Sequence, residues 1–139
     1  MYLKRRARGA SKSLDKTYRS SLEEGIALGL QARGVPVLYE PEHLGYEVPA
    51  SQHKYLPDFK LPNGIFVEAK GYLTSEDRTK MKQVKASNPF LDIRFVFQRA
   101  TNKLNKKSPT TYADWATKYG FPWAERFIPD GWIQEPSKN

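Results

Sequence analysis

Residues 57–70 read Pro57-Asp58-Phe59-Lys60-Leu61-Pro62-Asn63-Gly64-Ile65-Phe66-Val67-Glu68-Ala69-Lys70. An acid precedes a turn, and an acid and a lysine two residues apart follow it. The Pro-Asn-Gly triplet between apolar runs is a hairpin signal and predicts strands over 54–61 and 65–70. Successive side chains of a strand point to opposite faces, so Glu68 and Lys70 share one face and Val67 and Ala69 the other. Asp58, on the preceding strand, can meet the face of Glu68. Two carboxylates offer the hard oxygen ligands that Mg²⁺ or Mn²⁺ prefers. A neighbouring lysine can orient a water or stabilise charge growing on a phosphate. Each half has a bland reading, since Asp after Pro is common in turns and Glu-x-Lys on a strand is usually a solvated pair. Together, around one hairpin, they point to metal-dependent phosphodiester hydrolysis.

The rest of the chain fits that chemistry. At 139 residues it is one domain by length. With 23 Lys+Arg against 15 Asp+Glu the formal charge is +8, and the pI near 9.7 points to a polyanionic partner, nucleic acid first. No cysteine is present, which excludes a disulfide framework, a thiolate zinc site and a cysteine nucleophile. The opening residues are basic without the apolar run of a signal peptide, and no stretch is long enough to span a bilayer, so no membrane partner is expected and an intracellular setting fits.

Working outward, Lys4, Arg5, Arg6, Arg8, Lys12 and Lys16 mark residues 1–17 as a basic flexible arm, 18–134 as the nuclease domain and 135–139 as a polar tail. Ser20-x-x-Glu23 and Ser21-x-x-Glu24 are capping-box patterns, Leu22, Ile26 and Leu30 form one stripe, and Gly34 suits an exit: a helix over 20–33. Glu23 is blandly a cap residue, though an acid there could also face metals. Val35, Val37 and Tyr39 alternate as a strand that Pro36 pushes to an edge or a late start. Leu44, Tyr46 and Val48 alternate again before a break at Pro49-Ala50-Ser51. A second helix follows Thr74 and ends near Asn88-Pro89, with Met81 and Val84 inward and Arg78, Lys80, Lys82 and Lys85 largely outward. Leu91, Ile93, Phe95 and Phe97 read as a buried strand, and a basic loop follows over 99–108. A third helix after Thr111 carries Tyr112, Trp115 and Tyr119 as core rather than as a base-stacking platform. Phe127, Ile128, Trp132 and Ile133 read as a C-terminal clasp. His53 reads as a surface or hydrogen-bonded histidine. The order gives an α/β or α+β domain with a mixed central sheet flanked by helices.

The chain resembles the phage endonuclease I family, small dimeric enzymes that resolve four-way (Holliday) junctions, within the restriction-endonuclease-like nucleases. The resemblance rests on Tyr18-Arg19-Ser20-Ser21-Leu22-Glu23, Val48-Pro49-Ala50-Ser51, Pro57-Asp58-Phe59, Leu61 through Glu68, and Lys70-Gly71. It continues in Leu91-Asp92-Ile93-Arg94, Ser108-Pro109-Thr110, Ile128-Pro129, Trp132-Ile133 and Glu135-Pro136. It implies a PD-(D/E)xK nuclease fold, metal-binding acids Asp58 and Glu68, a catalytic Lys70, and Glu23 as a further acid completing the site. Ala69 stands where the family leads one to expect threonine, a position expected to offer only its carbonyl to a metal. The resemblance further implies two Mg²⁺ per site, replaceable by Mn²⁺, with no small-molecule cofactor. Branched DNA would be the substrate, and the cytoplasm of an infected bacterial host the setting. It also implies an intertwined, domain-swapped homodimer in which Glu23 comes from one subunit and Asp58, Glu68 and Lys70 from the other. A nuclease acting on linear duplex and a non-enzymatic DNA-binding protein are the alternatives.

Overall fold

Capping sets where the helices begin. Ser20 accepts from the Glu23 N–H through its side chain and starts α1 (Ser21–Ala32), which Gly34 leaves at φ +70°. Thr74 starts α2 (Ser75–Ser87) and Thr111 starts α3 (Tyr112–Lys118). Each closes a full capping box, with Asp77 and Asp114 as the reciprocal acids. A short α4 (Asp130–Gln134) ends the fold. The computed structural model describes residues 18–48 and 51–137. The expected arm, Pro49, Ala50, Lys138 and Asn139 lie outside that range. No helix among the described residues is long and apolar enough to cross a membrane.

The strands are β1 (Leu38–Tyr39), β2 (Leu44–Val48), β3 (Ser51–Tyr55), β4 (Phe59–Lys60), β5 (Phe66–Lys70), β6 (Ile93–Phe97) and β7 (Trp123–Glu125). Five form one sheet in the order β1-β4-β5-β6-β7, while β2 and β3 pair apart as an antiparallel ribbon. The first three strands of the sheet are antiparallel and the last three parallel. Parallel neighbours need a long crossover, and α2 and α3 supply the two. The mixed α/β class expected from the sequence is the one found.

Several expectations need correction. The strand expected over 54–61 is two strands in two sheets, because Pro57 has no N–H to give a ladder and the chain bends at Asp58. His53 therefore sits on β3, apart from the hairpin of β4 and β5. By contrast, β1 starts late and lies at the sheet edge, as Pro36 led one to expect, so that Val35 and Val37 stay outside it. Glu23 closes only half a capping box: its carboxylate reaches past Ser20 to the Arg19 N–H at 2.9 Å. Leu91 precedes β6, whose five residues are all buried, as befits a parallel strand covered on both faces. Arg94 is tolerated there because it makes paired bonds to Asp92 (2.7 Å each) and Glu135 (2.8 Å each). Lys80 and Lys85 are half-buried against aromatic rings rather than simply outward. Phe127 is 63% exposed and takes no part in the clasp, unlike Ile128, which is buried.

Apolar residues pack on both sides of the sheet. One face holds Ile26 and Leu30 of α1 with Val67, Val96 and Ile128. The other holds Met81, Phe95, Phe97, Trp115 and Phe121 with Tyr55. Tyr112 and Trp115 are core, as read from the sequence.

Candidate active site

The alternation of β5 sends Val67 into the α1 core and leaves Glu68 and Lys70 on the face of Phe66. Phe59 pairs with Val67, so continuing that register by one residue sets Asp58 opposite Glu68. The bend at Asp58 is pinned twice. Its carbonyl accepts from the Glu40 N–H at 2.7 Å, and its Oδ2 accepts from the Ala69 N–H at 2.9 Å. Glu68 Oε1 accepts from the Tyr55 hydroxyl, while Oε2 lies 3.6 Å from Lys70 Nζ. Lys70 Nζ also donates to Asp77 Oδ1 at 3.2 Å. Asp77 Oδ2 at the same time accepts from the Thr74 N–H in the α2 capping box. One carboxylate thus ties the start of a helix to the lysine of the site.

Glu23 enters from α1 and is buried. Its Oε1 accepts from the Tyr39 hydroxyl at 2.6 Å and from the Arg19 N–H at 2.9 Å. Its charge helps raise the pKa of both Asp58 and Glu68, so it lies within electrostatic reach of the hairpin acids.

The electrostatics of that centre are those of crowded buried acids. Burial raises the Asp58 pKa well above the usual carboxylate range, Glu68 and Glu23 raise it further, and the Ala69 N–H and Lys70 oppose them. Burial also raises Glu68, against the pull of Lys70, the Tyr55 hydrogen bond and Lys80. For Lys70 burial works against the ammonium, yet Glu68 and Asp77 outweigh it and raise its pKa, so it is a cation at neutral pH. Burial and the nearby glutamates raise Tyr39 and Tyr55, which stay protonated donors.

Buried acids that resist ionisation invite a cation. Among the described residues no three His, Cys, Asp or Glu side chains form a ready-made metal cage. The donor set instead suits Mg²⁺, which is bound by one or two carboxylates and completes its shell with waters and phosphate oxygens. Asp58, Glu68 and the Ala69 carbonyl fit such an ion.

Three partners have no signal in the sequence pattern. Asp77 reads as a cap alone, and Tyr39 and Tyr55 as strand residues. Only their three-dimensional neighbours reveal contacts to Lys70, Glu23 and Glu68. His53 stacks on Tyr46 at 5.4 Å and is exposed, in keeping with its bland reading.

The family model described as Phage endonuclease I matches residues 4–139. Over 121 residues the chain is 46% identical to Endonuclease I of Escherichia phage T7, covering 87% of this chain and 81% of that protein. Over 123 residues it is 42% identical to Endodeoxyribonuclease 1 of Enterobacteria phage T3, covering 88% and 81%. The chain belongs to the phage endonuclease I family.

Proposed function

With that membership as the premise, we propose that the chain is a divalent-metal-dependent endodeoxyribonuclease that cuts branched DNA, four-way junctions above all. The observation that carries this reading is the pairing of buried Asp58 and Glu68 across the hairpin, with Lys70 Nζ 3.6 Å from Glu68 and Glu23 within electrostatic reach of both acids. Asp58, Glu68 and the Ala69 carbonyl would hold one Mg²⁺, and Glu23 would help hold a second. When bound, the ions lower the pKa of the attacking water and stabilise the leaving oxygen of the scissile phosphate. Lys70, anchored by Asp77, directs its ammonium to the phosphate and the nucleophile, where charge builds as the reaction proceeds. Cleavage leaves a 5′-phosphate.

The surplus of basic residues supplies phosphate contacts, which position DNA without reading its sequence. Substrate choice then follows the shape and flexibility of the branch. Two sites related by a two-fold axis would cut the two strands of a junction symmetrically, in a homodimer whose subunits exchange segments. Each centre would then take Glu23 from one subunit and Asp58, Glu68 and Lys70 from the other. The place of action is the cytoplasm of an infected bacterial host.

The test is cleavage of a four-way junction in Mg²⁺ by wild type, Glu68→Gln and Lys70→Ala, each checked for folding. Paired nicks near the branch point, lost in both variants, are expected. Wild-type cutting by either folded variant would refute the assignment.

A further inference from the structure

Two of the three acids at the centre are gripped in the same way from different parts of the fold. Tyr39, on edge strand β1, donates to Glu23 Oε1 at 2.6 Å; its ring packs edge-on against Tyr18 with centroids 4.5 Å apart and lies 5.5 Å from Phe59. Tyr55 closes the separate ribbon at the end of β3, is 2% exposed, and donates to Glu68 Oε1 with Lys80 Nζ 5.5 Å from its ring centroid. The two phenols lie on different sheets and different core clusters, and each ring is locked by packing. A glutamate side chain otherwise samples many rotamers and loses that freedom when it binds an ion.

We propose that Tyr39 and Tyr55 are positioning residues that each fix one oxygen of a metal-binding glutamate, Glu23 and Glu68 respectively. The second oxygen, which in Glu68 faces Lys70 Nζ at 3.6 Å, is thereby preset for a divalent cation. This rests on the proposed metal site and extends it to two residues that do not touch the ion. Hydrogen bonds to ligating carboxylates commonly set metal affinity by about ten- to a hundredfold. Ion binding, more than DNA binding, is therefore the quantity the tyrosines govern.

The experiment is Mn²⁺ titration, followed by electron paramagnetic resonance, of wild type, Tyr39→Phe and Tyr55→Phe, with melting in EDTA and junction affinity in EDTA measured alongside. Phenylalanine keeps the ring and removes only the donor. Each variant is expected to bind Mn²⁺ about tenfold more weakly, to bind junctions in EDTA as wild type does, and to regain cleavage as Mn²⁺ is raised. Because the tyrosines serve acids assigned to different ions, the double variant should show both losses, each close to its size in the single variant. Mn²⁺ affinity within twofold of wild type in both variants would overturn the inference and leave the metal site standing. Wild-type protein that binds no Mn²⁺ would overturn the metal site and this inference together. Should Tyr55→Phe fail to fold, Tyr39→Phe, half-buried at the sheet edge, decides alone.

Discussion

Replacing Lys70 by methionine keeps most of the aliphatic stem and deletes the charge. The ammonium lies 3.6 Å from Glu68 Oε2 and 3.2 Å from Asp77 Oδ1. At an effective dielectric near 20 each contact has a gross attraction of roughly 5 kcal/mol. Desolvation of three groups offsets most of that, and removing one partner of a buried pair costs about 3–5 kcal/mol net. The Lys70 side chain is 21% exposed, so solvent screening lowers the expected loss to about 2–3 kcal/mol. For a chain of this size each kcal/mol moves Tm by about 3–5 °C, so Lys70→Met should melt roughly 6–15 °C lower in EDTA. Mg²⁺ should narrow the gap, since a bound cation replaces the lost countercharge at Glu68. Single-turnover cleavage in saturating Mg²⁺ should fall about 10²–10³-fold, the usual loss when one preorganised donor to a developing charge is removed. Melting in EDTA and in Mg²⁺, with quench-flow cleavage of a junction, reads all three. An unchanged EDTA melt, or a rate within tenfold of wild type, would refute the assignment of Lys70 as the countercharge of this centre.

Other expectations follow from the same geometry. Asp58 and Glu68 have raised folded-state pKa values, so the native state holds protons that the unfolded state gives up. In EDTA, the contribution of these two acids to stability is fully present below the ordinary carboxylate pKa of about 4 and is lost as pH rises through the folded values. Added Mg²⁺ should reverse that loss, and a pH series of melts checks it. Asp77→Ala removes the acid of a capping box and the anchor of Lys70; it should cost about 0.5–2 kcal/mol of stability and lower kcat more than it raises KM, which denaturant titration and steady-state kinetics would separate. Arg94→Met leaves Asp92 and Glu135 without their shared partner and should destabilise the fold by about 3–5 kcal/mol, while activity per folded molecule stays near wild type.

Elements with strong local signals are legible in the amino-acid sequence itself. Ser20, Thr74 and Thr111 cap the helices predicted from them, and Gly34 and Gly120 take the left-handed turns that end α1 and α3. The faces of β5 follow from its alternation. The features that local pattern hides are set by tertiary context. Pro57 divides what reads as one strand, and the two halves join different sheets. Arg94 breaks the apolar run of β6, yet it is buried because partners 2 and 41 residues away complete its hydrogen bonds. The three residues of β7 give too short a pattern to read, and they pair only because β6 offers a free edge. Within the site, the hairpin spacing alone singles out Asp58, Glu68 and Lys70. Glu23 needs the family resemblance, since Ser-x-x-Glu is indistinguishable from a cap. Tyr39 lies 16 residues from Glu23 and Tyr55 lies 13 from Glu68, separations with no periodicity to betray contact.

The most direct measurement compares nicking of a four-way junction with nicking of linear duplex of the same arm sequence, in Mg²⁺ and in EDTA. Paired cuts near the branch point, present only with Mg²⁺ and only on the junction, are the predicted result. Equal cutting of both substrates would contradict selectivity for branched DNA, and cutting that persists in EDTA would contradict the metal-dependent centre of Asp58, Glu68 and Lys70.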